Sequence, residues 1–208
     1  MRFATVTGAA GDSWAHSRRM KRAIVLPPLA AAFALAGCGD FAQSPDYYPR
    51  TVSSGFNEEF RTWISQAAGQ CEAITPSILA AQIEAESSFR TDALSPRGAM
   101  GPSQFIPETW EIWGVDADGD GAADPYSIPD AVTAQAAFMC DNHRRAAEGV
   151  AAGTLEGDPL DLALAAYNAG FGAVQRSGGL PSGGEYTSET QPYVARIRER
   201  EVVYLSSE

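Results

Sequence analysis

The sequence has 208 residues, 45% of them hydrophobic, which is enough for one ordinary buried core with a tail. Its 26 acidic residues outnumber the 15 basic ones, for a formal net charge of −11. That balance excludes the broad basic surface of a nucleic-acid binder, and it excludes attachment to anionic lipid through a basic patch.

Met20-Lys21-Arg22 opens a short basic region, Ala23 to Leu35 is an apolar run too short to span a membrane comfortably, and "LAGC" closes it at Cys38. The pattern is similar to a lipoprotein signal peptide and lipobox. It implies that residues 1–37 are removed, with Met20 a suitable start, and that Cys38 becomes the lipidated first residue. The alternative is an uncleaved N-terminal anchor; Pro27-Pro28 is unusual inside an apolar signal core. Losing residues 1–37 takes away Arg2, Arg18, Arg19, Lys21, Arg22 and Asp12, leaving 10 basic and 25 acidic residues and a net charge of −15. Membrane attachment then rests on the acyl chains at Cys38. Residues 38–55, rich in Ser, Pro, Asp and Tyr, read as the lipidated N-terminus and a linker, which leaves 56–208 as the folded domain. With Cys38 lipidated, Cys71 and Cys140 remain in an oxidising compartment and are expected to pair, two separately buried thiols being the alternative.

Apolar spacing at Phe60, Trp63, Ile64 and Ala67 predicts a helix over about 57–70. A second helix is expected over about 76–89, with Thr75 as N-cap and Pro76 in the first turn. In projection Ile78, Leu79, Ile83 and Phe89 fall on one arc with Glu86 near its middle, whereas Glu84 falls on the far, solvent side. A carboxyl set among apolar groups loses hydration, keeps its proton near neutral pH and can serve as a general acid. Glu86 is therefore the candidate; the structural alternative is a carboxylate that caps or salt-bridges the next loop. A turn-rich stretch follows at 91–103, then a short helix near Glu108–Trp113, an Asp/Gly loop, and helices at about 129–148, 159–169 and 189–205. Strand-like alternation is nearly absent, so the fold class is mainly α, and there is no repeat of helical-array length.

Four segments in order, "ESSF", "SPRGAMGPSQFIPETW", "LAAYNAGFGAV" and "ETQPYVARI", resemble the soluble-lytic-transglycosylase domain of the lysozyme superfamily over about residues 72–200. The resemblance implies a lysozyme-like α domain with a saccharide cleft, in which murein is cut without water. It implies that Glu86 is the lone catalytic carboxyl. Its proton would go to the oxygen joining N-acetylmuramic acid to N-acetylglucosamine, and as a base it would then free the muramic C6 hydroxyl to close a 1,6-anhydro ring. Peptidoglycan strands are the implied partner, the protein acting as a monomer. The implied location is the periplasmic face of an outer membrane where the cell has one, and otherwise the outer face of the cell membrane.

The same resemblance implies that Ser95 lies near the substrate N-acetyl group and that Gln104 lines the cleft. Tyr167 would approach Glu86, Asn168 would brace the adjoining loop, and Tyr193 would stack or pack at the cleft edge, a core tyrosine being the alternative. Gly98 and Gly101 allow close backbone approach. Phe171 stands where the family has the proline of "NAGPG", and "GPSQF" replaces the commoner "GLMQ"; with "IPETW" and the acidic loop it looks more like the membrane-bound transglycosylase B branch.

That loop, "DADGDGAADPYSIPD", sets Asp116, Asp118 and Asp120 at alternate positions with Gly121 where an EF-hand turns. Calcium is the expected ligand, with Ala122 offering its carbonyl, Asp124 acting through water, and Asp130 closing a lengthened loop because Ser127 cannot replace the bidentate glutamate. An acidic solvated turn is the alternative. Two other functions compete with the transglycosylase: a hydrolysing muramidase of goose-type lysozyme kind, for which Asp92 is the nearest second acid, and a non-catalytic murein-binding lipoprotein.

Overall fold

The computed structural model describes residues 52–205, which fall within one compact unit. The expected signal peptide, Cys38 and most of the expected linker lie outside the described residues.

Helix α1 (Glu58–Ala67) is capped by Asn57, whose side chain accepts from the Phe60 N–H at 3.1 Å, and it runs on through a 3₁₀ turn at Ala68–Gln70. Helix α2 (Pro76–Ser87) starts as its sequence dictates, with Thr75 Oγ1 accepting from the Ile78 N–H at 3.3 Å and Pro76 in the first turn. It stops two residues short of Phe89. Ser88 and Phe89 adopt positive φ values of 56° and 63°, a conformation that costs side-chain-bearing residues about 1 kcal/mol each. The reversal is held by burial: the Phe89 ring packs 5.3 Å from Phe56, 5.0 Å from Phe60 and 6.1 Å from Tyr204.

A loop with the isolated bridges Leu94–Met100 and Met100–Phe105 leads to α3 (Pro107–Trp113). Gly101 sits at φ +70°, and a Cβ there would stand 1.7 Å from the Pro125 carbonyl oxygen, so only glycine lets this loop meet the acidic one. Then come α4 (Ile128–Ala151) and α5 (Pro159–Ala169), the latter capped by Asp158. Helix α6 (Phe171–Ser177) had no counterpart in the apolar spacing. It follows α5 across Gly170 alone and is too short to show a period. A π-helical turn at Tyr186–Thr190 leads into α7 (Gln191–Leu205). The architecture is mainly α, as expected, and none of the described helices is long and apolar enough to cross a membrane.

Helix α2 is the hub. Every residue from Ser77 to Ile83 is buried, because α1, α4 and α7 all pack around it. The single apolar arc drawn from the sequence is therefore too narrow a picture, and it misplaces Glu84. That carboxylate turns to α7, where it takes bonds of 2.6 and 2.9 Å from Nε and Nη2 of Arg200. The Arg200 side chain is only 5% exposed and that of Glu84 only 20%, so Glu84 belongs to a helix–helix interface and not to a solvent face. Cys71, just beyond α1, pairs with Cys140 of α4 across 69 residues, with Cα atoms 6.0 Å apart. Closing a loop of that length is worth about 4 kcal/mol on the chain-entropy model.

Candidate active site

Glu86 lies in the last turn of α2, one residue before the helix ends, where its carboxyl reaches past the packed core into a pocket of about 470 Å³. The walls come from the 95–106 loop (Ser95, Arg97, Ala99, Gln104, Phe105, Ile106), from Thr109 of α3, from Phe138 of α4 and from the end of α5. Phe105, Phe138 and Tyr167 form one continuous aromatic wall, with centroids 5.2 to 6.3 Å apart. Among the described residues Glu86 is the only acidic one lining it and Arg97 the only basic one. A groove of similar volume between α1 and Tyr204 carries Glu58 and Arg61 and lies away from this chemistry.

Burial pushes the Glu86 carboxyl up to about 7 from its ordinary 4.5, opposed by the Tyr193 hydrogen bond and the nearby Arg196 charge. Glu86 keeps partial solvent contact, as a group on an open pocket must, but the protein crowding its carboxyl outweighs both opposing effects. Tyr193, 5% exposed, donates its hydroxyl to Glu86 Oε1 at 2.6 Å and accepts from Gln82 Nε2 at 3.0 Å. Burial first, and the Glu86 charge second, hold both the Tyr193 and the Tyr167 phenols well above their usual range. The two tyrosines are differently engaged. Tyr193 is a buried support behind Glu86 and not a cleft-edge platform. Tyr167 lines the pocket near Glu86, but its hydroxyl is committed to the Ser103 carbonyl at 2.8 Å.

The remaining expected positions are partly brought together. Ser95 lines the pocket while its Oγ braces the turn, accepting from the Ala99 N–H at 3.0 Å and the Arg97 N–H at 3.3 Å. Gln104 lines the pocket at φ +52°, with Nε2 donating to the Gly101 carbonyl at 2.9 Å; its Oε1 is the end left for a ligand. Asn168 Oδ1 accepts from the Thr190 hydroxyl at 2.8 Å, which ties the end of α5 to the turn before α7. Asp92 is exposed and outside the pocket lining.

Sequence reasoning missed Gln82 and Arg196. Gln82 carried a signal, since a polar side chain inside an otherwise small or apolar run must find a buried partner. Arg196 follows Tyr193 by three residues, hence on the same side of α7, and its Nε is buried without a hydrogen-bond partner.

In the acidic loop, carboxylate oxygens of Asp116, Asp118 and Asp120 lie within 4.8 Å of one another, all three residues exposed. Asp116 also accepts from the N–H groups of Gly119, Asp120 and Gly121 at 2.8 to 3.1 Å, which coils the loop around it. Three hard oxygen donors so placed could in principle coordinate a divalent ion. Asp130 stands outside that group. It is 1% exposed, and its two oxygens accept from the Ala117 and Asp124 N–H groups at 2.7 and 2.9 Å, so it clasps the two ends of the loop. Ala122 donates its N–H to Asp120 at 2.9 Å.

The fold resembles that of solved lytic transglycosylases. One is an inactive mutant of the lytic transglycosylase Slt from Pseudomonas aeruginosa, at 23% identity and a TM-score of 0.52 over 71% of this chain and 24% of that one. Another is the 70 kDa soluble lytic transglycosylase SLT70 from Escherichia coli, at 19% identity and a TM-score of 0.49 over 69% of this chain and 23% of that one. The chain thus spans about a quarter of the length of these proteins. At such identity the likeness is one of fold. The family described as the transglycosylase SLT domain matches residues 64–187, more than half of the sequence. The protein therefore belongs to the transglycosylase SLT domain family, and its mainly α-helical fold resembles that of the solved Slt structure.

Proposed function

We propose that the protein is an exported murein lytic transglycosylase in which Glu86 acts first as acid and then as base. The observation that carries this reading is a pocket carboxyl with its pKa raised to about 7 and, among the described residues, no second acid in the lining. A group with that pKa is about nine-tenths protonated one pH unit below it, and it ionises readily once its proton has gone.

Glu86 gives its proton to the glycosidic oxygen between N-acetylmuramic acid and N-acetylglucosamine as the bond to muramic C1 breaks. The substrate's own acetamido oxygen closes on C1, so no protein carboxylate is needed as nucleophile. Glu86, now ionised, takes the proton of the muramic C6 hydroxyl, whose oxygen displaces the acetamido group and leaves a 1,6-anhydro end. The aromatic wall suits sugar faces, and Ser95, Gln104 and Asn168, all on the pocket lining, would help to orient the sugar. Both competing mechanisms fit less well. A hydrolase that activates water wants a second carboxyl in the pocket, and Asp92 lies outside it; a silent binding protein has no use for a carboxyl held at the cost of its ionisation.

Calcium is proposed as a structural ligand of Asp116, Asp118 and Asp120, with the Ala122 carbonyl completing the set and Asp130 holding the loop closed. Bound there it would stiffen the connection between α3 and α4 and take no part in proton transfer. This loop and "GPSQFIPETW" support placement near the membrane-bound transglycosylase B branch. Cys38 would carry the lipid that tethers the protein to its membrane, with peptidoglycan as substrate.

Mass analysis of murein digested by the purified protein tests the reading. Anhydromuramic ends are expected; reducing ends would assign a hydrolase, and uncut murein a binding protein.

A further inference from the structure

Gln82, Gln135 and Ser103 are polar side chains with no solvent exposure at all. Groups of this kind are costly in a core unless every one is bonded. They form a continuous string: Ser103 Oγ donates to Gln135 Oε1 at 2.7 Å, Gln135 Nε2 to Gln82 Oε1 at 2.8 Å, and Gln82 Nε2 to the Tyr193 hydroxyl at 3.0 Å. Tyr193 then donates to Glu86 Oε1 at 2.6 Å. The string runs from the pocket loop through α4 and α2 to α7, and back to the last turn of α2.

Its direction follows from the donor inventory. An amide has one donating and one accepting end, and a hydroxyl has a single proton. The Met139 thioether, 3.6 Å from Gln82 Nε2, accepts from the amino end and so favours that end toward Tyr193. The Tyr193 oxygen, already receiving a proton there, sends its own to Glu86. A protonated carboxyl oxygen is the weaker acceptor, so the oxygen that takes this bond leaves the proton to the other.

We propose that Gln82 and Gln135 are positioning residues, which fix the Tyr193 hydroxyl as donor to Glu86 Oε1 and so confine the transferable proton of Glu86 to Oε2. The proposal rests on the reading of Glu86 as acid and base, and it adds which oxygen does the work. The proton leaves from Oε2, the charge left behind is held at Oε1 by Tyr193, and Oε2 then receives the C6 proton. With both amides reversed, Tyr193 would accept from a protonated Oε1 and draw the proton away from the pocket. Such strings polarise one another, so a break at a remote link is felt at Glu86. The other groups that act on Glu86 are Tyr167 from α5 and Arg196 from α7, with Arg97 on the same pocket wall.

The test is a carbon-13 NMR titration of the Glu86 carboxyl in the whole protein. The variants are Tyr193→Phe, the pair Gln82→Met with Gln135→Met, and all three together. Replacing both amides leaves neither unpaired, and Ser103 keeps the Ala131 carbonyl at 3.3 Å. Tyr193→Phe is expected to raise the midpoint by about one pH unit, the scale of one bond to a charged group. The methionine pair should raise it by less, and the triple variant no further than Tyr193→Phe alone. A folded methionine pair that titrates as the parent does, or that adds its full shift on top of Tyr193→Phe, overturns the proposal. If the pair does not fold, Gln135→Leu with Ser103→Ala cuts the string one link further out and is judged by the same two outcomes. The titration needs no substrate, so a protein that leaves murein uncut defeats the functional reading, whereas an unmoved midpoint defeats the string alone.

Discussion

Glu84 and Glu86 stand two residues apart on one helix and have opposite surroundings. Glu84 meets the Arg200 guanidinium in two charge-assisted bonds, so its ionised form is the one the fold satisfies. Glu86 meets a phenol, an aromatic pocket and a more distant Arg196, and its environment favours the neutral acid. The difference comes from the neighbours on α7. Arg200 and Tyr193 lie about two turns apart on that helix, each opposite one glutamate, so the α2–α7 seam assigns one carboxylate to structure and leaves the other its proton. A buried charge with a matched partner is costly to break but inert, whereas a buried carboxyl without one is held ready to give up a proton.

The largest expected effect is on turnover. Glu86→Gln removes the transferable proton while keeping the shape, and should lower murein cleavage by about 10²–10⁴-fold, the usual range for a general acid. Glu84→Gln should leave cleavage per folded molecule near the parent value. Initial rates on purified murein, normalised to folded protein, check both; equal losses in the two variants would erase the contrast.

Stability against pH sharpens it further. Unfolded Glu86 ionises near its ordinary 4.5, whereas the folded group holds its proton to about 7. The neutral carboxyl therefore costs nothing below pH 4.5, and stability is lost progressively between 4.5 and 7. Glu86→Gln should accordingly be more stable than the parent by about 2–3 kcal/mol at pH 8, with the gain gone at pH 4. Denaturant melts at the two pH values read this directly.

Glu84→Gln should act in the other direction. Removing one side of a largely buried pair costs about 2 kcal/mol at neutral pH, toward the low end of such losses because Glu84 retains some water and Arg200 keeps other contacts. Chemical denaturation should show the loss, with the titration midpoint of Glu86 unchanged.

The smallest effect belongs to the acidic loop, far from either glutamate in chemistry. Calcium at about ten times its dissociation constant should stabilise the domain by about 1.4 kcal/mol and raise Tm by about 3–5 °C. Sites of this kind often bind at about 10⁻⁴–10⁻³ M, so calorimetry in chelator against millimolar calcium is the measurement. The Asp118→Ala, Asp120→Ala pair should lose the shift and keep its activity at low temperature.

Local chemistry was legible in the sequence where it is decided locally. Thr75 with Pro76, Pro107 and Pro159 mark helix starts, and the structure begins its helices there. The pairing of Cys71 with Cys140 followed from what was left once one cysteine was assigned elsewhere. What escaped depends on distant partners. Nothing near Glu84 announces Arg200, which lies 116 residues away. Helical projection assumes one buried face, and α2 is packed on several, so it misjudged Glu84, which it placed toward solvent and which Arg200 holds in the helix–helix interface. For Tyr193 the cleft edge and the core were both open in the sequence; the buried Gln82 that claims its hydroxyl lies 111 residues earlier.

The most direct measurement is the initial rate of anhydromuramic end formation against pH at low substrate concentration, where it reports the free enzyme. If protonated Glu86 is the acid, the rate is level from about pH 5 to 6.5 and falls about tenfold per unit above about pH 7. A rate that instead climbs through pH 7 toward pH 9 would mean that the ionised carboxyl starts the reaction, and would contradict the account.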